Sequence, residues 1–535
     1  MKKVLYSGRV YTMDRSNPIS SALALDFGRI LGLGEDDFTL GEFGDGAERI
    51  NLEGKTVIPG LVDAHIHLEQ YALVLEHINC ETATREECLQ KVAEKATESK
   101  PGEWILGHGW NQNDWEEGYG YAPDLDRAAP DNPVFLSAKS LHAAWVNSAA
   151  LKLARISPAT DDPPGGRFSR DESGSPDGLL FETAIQVVQG IIPEPSLEEV
   201  CRAVMGAQRE LWRMGLTGCH DFDRRRCFQA LQILRERGKL GLRVLKSIPV
   251  EDLTYAVSLG LRSGFGDDML RVGNIKIFAD GALGPRTAAM LQPYEGEPAN
   301  RGILLVDSEG LYETGREAVG QGFGLAVHAI GDRANHEVLL GLERLGEYEK
   351  SLPGGAGGGR SEKVRHRIEH VQVLHPEDVN RLAELGVVAS MQPIHALSDF
   401  MAADRYWGGR SRYAYGWKSQ LEAGSVLAFG SDAPVEAPDP FLGLYSAVTR
   451  RRLDGTPGPA GWYSEQRISI QEAVAGYTLG AAYAAGMEDR LGKLAPGCLA
   501  DLVVLDRDPF NCPPEELLEV QPLRTMVGGE WVYTR

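Results

Sequence analysis

Two kinds of hydrophobic patterning divide the chain. At both ends, short apolar–polar alternations are broken by glycine and acidic turns: KVLYSGRVYTM, SALALDFGRILGLG and RINLEGKTVIPG at the start, LGKLAPGCLADLVVLD and RTMVGGEWVYTR at the finish. Such alternation with turn punctuation predicts hairpin-rich β structure. Neither end is large enough to make a good sheet alone, so the two are expected to pair into one small β-sandwich domain, residues 1–57 plus 488–535. Between them, apolar and β-branched runs alternate with helical stretches, the pattern of a parallel α/β sheet. Eight core strands can be read: GLVDAHIHL, TGCHDF, LRVLKSI, NIKIFAD, LAVHAIG, HRIEHVQ, VVASMQP and VLAFGSDAP. Eight such units suit a closed (β/α)8 TIM barrel over 58–487 better than an open sheet.

The stretch from His67 to Thr217 is too long for one connection. It carries strand-like pieces (WILGHGW, NPVFLSAKS) and a helix-like one (WVNSAALKLA). Long insertions of this kind form subdomains or functional loops, so an inserted subdomain is expected over about 70–205, above the barrel mouth. A shorter insertion, ALSDFMAADRYWGGRSRYAYGWKSQ, follows the seventh strand. The glycine-rich PGGAGGGR (353–360) reads as a surface loop, because no Lys-Ser/Thr follows it as a phosphate cradle requires.

Composition narrows the partners. A hydrophobic fraction of 43% and a charged fraction of 24% are ordinary for a globular protein. A net charge of −21 argues against nucleic acid and anionic membrane, both of which demand a basic face. The seven cysteines form no CxxC pair, as expected of buried thiols in a reducing compartment. MKKVLYSGRVYTMDRS lacks a signal-peptide core, and no apolar run is long enough to span a bilayer. The expected location is cytoplasmic, the expected partner a small-molecule substrate, and the default assembly a homodimer.

The candidate chemistry begins at PGLVDAHIHLEQ. On a strand, His65 and His67 point to one face, and two converging imidazoles can start a metal site. Alone, the pair could equally be two structural histidines. Lys276, His328, His370 and Asp432 change that balance: each lies at or near the end of an apolar strand, and a β/α barrel gathers strand ends into one ring.

With those residues in view, HIH after PGLVD, KIFADGALGPRTA, HAIGDRAN, RIEHVQ, GSDAPV and LGKLAPGCLADLVVLD resemble the amidohydrolase superfamily. They are most similar to its YtcJ-like, amidohydrolase-3 branch, which includes N-substituted formamide deformylases. The resemblance implies that His65, His67 and Asp432 hold a buried metal and that His328 and His370 hold a more exposed one. It also implies that Lys276 bridges the two as a CO2-derived carbamate; a structural lysine paired with a carboxylate is the other reading. Two zinc ions are the default for these donors, though iron, manganese or cobalt would also fit. The implied reaction is attack of metal-activated hydroxide on a linear or N-substituted amide, with Asp432 as general acid and base. A deaminase or cyclic-amide hydrolase is the alternative, and an inactive scaffold the remote one.

Other residues carry weaker expectations. His142, Asp280, Arg286 and Trp110 are candidate substrate contacts, each weighed against a structural role: a bonded histidine, a loop salt bridge or simple packing. His220 reads as supporting or structural, and His77, His108, His336, His375 and His395 as ordinary histidines. Of the carboxylates beside ligands, Asp63 is the better partner for a ligating histidine. Glu369, an immediate neighbour of His370 on a strand, is expected to face the helices.

Overall fold

In the computed structural model, which describes residues 1–140, 142–352 and 365–535, the eight apolar runs form one eight-stranded sheet. Its strands are β1 (Leu61–Ile66), β2 (Leu216–Asp221), β3 (Arg243–Pro249), β4 (Leu270–Phe278), β5 (Leu325–Ala329), β6 (Arg367–His370), β7 (Val388–Met391) and β8 (Leu427–Phe429). They pair in chain order, all parallel. Helix-covered parallel strands are buried on both faces, which is why they read as continuous apolar runs rather than as alternations. The glycine-rich segment 353–360 lies outside the described residues.

The sheet's two edges meet at the residues that follow β1 and β8. Ile66 bridges Ala433 in parallel, Asp432 N donates to His65 O at 2.7 Å, and His67 N donates to Ala433 O at 2.8 Å. Asp63 reinforces this seam. Its Oδ1 accepts from the His65 and Ser431 backbone N–H groups, both at 3.0 Å, and its Oδ2 accepts from Ser431 Oγ at 2.5 Å. Asp63 therefore sets the backbone of β1 rather than a histidine ring.

Both chain ends enter one small β structure. A six-stranded sheet runs in the order Glu530–Thr534, Pro522–Val527, Leu502–Leu505, Thr56–Pro59, Arg9–Tyr11, Ile19–Ser20. A four-stranded sheet holds Arg29–Gly34, Ala22–Asp26, Lys3–Tyr6 and Glu48–Asn51. Leu5, Leu23 and Ile50 of the smaller sheet pack with Val57, Leu502 and Met526 of the larger in one apolar cluster. The buried ion pair of Arg243 and Asp501 (2.5 and 2.8 Å) ties this structure to β3.

By its internal contacts the chain divides into two compact units, residues 1–71 with 200–535, and Ala72–Glu199. The second unit has its own six-stranded sheet, built on Ile105–Trp110 and Val134–Ala138 as a parallel pair, and its own core of Trp110, Trp115 and Trp145. All seven cysteines are free thiols, and no helix among the described residues is long and apolar enough to cross a membrane.

Candidate metal centre

The carboxyl ends of β1, β4, β5, β6 and the turn after β8 bring His65, His67, Lys276, His328, His370 and Asp432 to one end of the barrel. His65 Nε2 and His67 Nε2 each lie 3.4 Å from Asp432 Oδ1. A tetrahedral ion with bonds of about 2.1 Å separates its ligands by about 3.4 Å, so these spacings fit a zinc-like ion. His65, His370 and Asp432 also offer donor atoms within 4.8 Å of one another. The His370 ring lies 5.1 Å from that of His65 and 4.5 Å from that of His328.

Each imidazole has one nitrogen engaged with an oxygen. His65 Nδ1 donates to Glu369 Oε2 at 2.6 Å, His67 Nδ1 lies 3.3 Å from Asp223 Oδ1, and His370 Nδ1 donates to Gln392 Oε1 at 2.8 Å. His328 Nε2 donates to Gly281 O at 3.0 Å. Such bonds fix the tautomer and leave the opposite nitrogen's lone pair for a metal. Burial, followed by the charge of Lys276, lowers His65 to about 4 and His328 to about 3; burial and His328 carry His370 well below the ordinary value. These three are neutral imidazoles near pH 7. His67 is the exception: burial would lower it, but hydrogen bonds to Asp223 and Asp432 raise it to about 9. Asp432 is held well below the usual carboxylate range, its burial outweighed by the surrounding imidazoles, with His65 and His67 foremost.

Lys276 Nζ is buried without a hydrogen-bond partner among the described residues. It lies 4.6 Å from the centre of the Phe222 ring and 5.0 Å from that of Phe278. Desolvation lowers its pKa to about 8, with Glu369 and Asp432 opposing. An orphaned, easily deprotonated amine beside four imidazoles and a carboxylate fits the carbamate bridge, because the free amine is the form that adds CO2.

Glu369 overturns an expectation. It faces the barrel interior, fully buried, because His370 leaves the extended backbone (φ 74°) and strict alternation ends there. Arg367 and Glu369 therefore share the inner face of β6 as an ion pair at 2.5 Å. Arg367 also donates to Ala64 O at 2.6 Å, to His220 Nδ1 at 2.7 Å and to Ser390 Oγ, and Ser390 Oγ donates to Glu369 Oε2 at 2.6 Å. Glu369, not Asp63, is thus the carboxylate on the His65 ring, and His220 supports it through Arg367. Although burial alone would raise Glu369, Arg367 and His65 hold it well below its ordinary value.

The candidate substrate contacts fare differently. Asp280 is 2% exposed, and its carboxylate accepts from the N–H groups of Ala289, Ile330 and Gly331 at 2.8–3.0 Å. It organises the loops after β4 and β5 and is closed off from solvent, with Oδ1 3.6 Å from His328 Nε2. Trp110 is likewise withdrawn: 1% exposed, it donates to Leu136 O at 2.8 Å inside the core of the second unit. Arg286 pairs with Glu297 and covers the Tyr406 ring at 5.3 Å, the loop salt bridge of its alternative reading. His142 is exposed and 3.0 Å from Glu182.

Three residues had no sequence signal. Asp223, just past β2, meets the His67 ring and accepts from Glu69 N at 2.5 Å. Gln392, just past β7, orients His370. His395, set aside on spacing, is buried beside the centre with Nε2 at 3.9 Å from Asp432 Oδ2. A second buried cluster, Asp221, Asp223 and Cys227, already holds a cation: Lys246 Nζ lies 2.8 Å from Asp221 Oδ2.

A parallel barrel, a split terminal β structure and a ring of imidazoles with one carboxylate define a metal-dependent hydrolase. The amidohydrolase family profile matches residues 48–533, and the chain belongs to that family of hydrolases acting on carbon–nitrogen bonds other than peptide bonds. It is 35% identical over its whole length to the putative amidohydrolase YtcJ of Bacillus subtilis, also matched in full. It is 28% identical to the N-substituted formamide deformylase of Arthrobacter pascens, over 99% of this chain and 98% of that one. A crystal structure of an uncharacterized metal-dependent hydrolase from Pyrococcus furiosus aligns with a TM-score of 0.78 at 29% identity, over 96% of this chain and all of the other.

Proposed function

We propose that the protein hydrolyses linear or N-substituted amides at a two-metal centre. His65, His67 and Asp432 would hold one zinc, His328 and His370 the other, and a carboxylated Lys276 would bridge them. The observation that carries this reading is the arrangement of the imidazoles: each has one nitrogen engaged with an oxygen, and in His65, His328 and His370, neutral near pH 7, the other nitrogen keeps its lone pair for a metal. The full-length similarity to a formamide deformylase supports the choice of substrate class.

When bound, divalent metal supplies an acidified water and positive charge beside the amide carbonyl. The chain's own residues do the rest. Asp432 Oδ1 is the oxygen shared by the His65 and His67 nitrogens, so Oδ2 remains for proton transfer. Oδ2 takes a proton as the water oxygen joins the carbonyl carbon, then delivers it to the nitrogen as the carbon–nitrogen bond breaks. The products are a carboxylic acid and an amine. Glu369 and Asp223 hold two of the rings in place, and the buried setting strengthens each charge interaction.

The test is to assay protein grown with zinc and bicarbonate against N-formyl and N-acyl amines while counting metal per chain. Amine release with two metals supports the proposal. One metal beside a free Lys276, with release of ammonia from an aminated ring, would move the function to deamination.

A further inference from the structure

We propose that His395 is a further catalytic residue, its Nε2–H donating a hydrogen bond to the carbonyl oxygen of the substrate; the assignment rests on the amide-hydrolase reading. His395 opens the helix His395–Trp407 just after β7, and its ring lies near-parallel to that of His370 (6.1 Å, 13°). The residue is 7% exposed, and Nε2 has no hydrogen-bond partner among the described residues. A buried donor without an acceptor is costly, and one facing a reaction centre calls for a ligand.

Asp432 does not satisfy it, because Oδ2 at 3.9 Å is beyond hydrogen-bond reach. That neighbour nevertheless decides the tautomer. A lone pair on Nε2 would face a carboxylate oxygen, whereas an N–H faces it favourably, so Nε2 carries the proton. The helix offers no competing donor in its first turn: the N–H groups of His395, Ala396 and Leu397 are bound by the carbonyls of Gln392, Pro393 and Ile394. The imidazole is therefore the donor this helix start presents.

The pairing with Asp432 gives the donor its task. The carboxylate oxygen facing His395 is Oδ2, the one assigned to proton transfer. An amide group lying over this pair, rather than between its two atoms 3.9 Å apart, receives the attacking water on the Asp432 side and turns its own oxygen to His395. That oxygen gains negative charge as the water oxygen bonds to carbon and the water proton passes to Asp432. It loses the charge as the carbon–nitrogen bond breaks and the proton moves to nitrogen. His395 keeps its proton throughout and acts as a preorganised donor.

Two variants separate this role from a structural one: His395→Gln, which keeps an N–H donor, and His395→Met, which fills similar space without one. On zinc-loaded enzyme with N-benzylformamide, His395→Met should lose about 100–1,000-fold in kcat, as loss of one such donor does. KM should stay within a few-fold and metal content at the wild-type level, while His395→Gln should recover at least part of the loss. Acetohydroxamate binding, measured by calorimetry, should weaken in His395→Met and less in His395→Gln. Wild-type kcat and acetohydroxamate affinity in both variants would overturn the proposal; so would loss of metal, which would make His395 a ligand. If the wild type hydrolyses no amide but His395→Met still weakens acetohydroxamate selectively, the donor stands and the amide reading falls.

Discussion

Glu369 should be the most consequential residue that touches neither substrate nor metal. It is fully buried and receives His65 Nδ1 at 2.6 Å, Ser390 Oγ at 2.6 Å and the Arg367 guanidinium at 2.5 Å. Glu369→Gln keeps the shape, removes the charge and turns an amide N–H2 toward groups that are already donors. Arg367 is then a buried cation without its counter-charge, and breaking a buried pair from one side costs about 3–5 kcal/mol. Independently, loss of the carboxylate on a ligating histidine should weaken metal binding about 10–100-fold. Chemical denaturation of the metal-free protein reads the first effect, and competition with a chromophoric zinc chelator reads the second. The double variant Arg367→Met/Glu369→Leu should regain most of the stability but none of the zinc affinity, because His65 Nδ1 still lacks its acceptor. The pair's contribution should be present above the unfolded carboxylate range, about pH 4.3, and fade as pH falls through the depressed value in the fold. Stability within about 1 kcal/mol of wild type, together with unchanged zinc affinity, would show that Glu369 neither balances Arg367 nor supports His65.

Other expectations follow from the same geometry. Asp432→Asn should fold normally yet lose about 100–10,000-fold in kcat, as removal of an acid–base group does; near-normal turnover in the steady-state assay would remove Asp432 from that role. Because His67 holds its proton up to about pH 9 and must shed it to ligate, zinc uptake at pH 7.5 should release protons and apparent affinity should rise with pH. Calorimetry in buffers of different ionisation enthalpy counts those protons, and pH-independent affinity would contradict the His67 assignment. Trp110→Ala should destabilise the Ala72–Glu199 unit by about 3–5 kcal/mol, as large core truncations do, and leave zinc content unchanged. Proteolysis followed by mass spectrometry would locate that opening, and cleavage confined to the barrel would argue against it.

The barrel was legible because each parallel strand is a continuous apolar run and successive runs become spatial neighbours. The candidate ligands stood out because they interrupt those runs at their carboxyl ends. What escaped depended on geometry that local pattern does not carry. Alternation assigned Glu369 to the helix layer, but the left-handed backbone at His370 breaks the parity. Asp223, Gln392 and His395 lie just beyond their strands, where turn geometry, not periodicity, aims a side chain. Trp110 and Asp280 looked like site residues because an aromatic and a carboxylate in loops resemble a binding surface. The first is core with its N–H satisfied, and the second is a brace for backbone N–H groups.

The proposed function turns on a two-metal centre built on Lys276. The most direct measurement is metal content per chain of protein grown with zinc and bicarbonate, combined with an anomalous diffraction map of the same sample. Two ions are expected, one at His65, His67 and Asp432 and one at His328 and His370, with continuous density from Lys276 between them. A single ion beside an unmodified lysine would contradict the proposal.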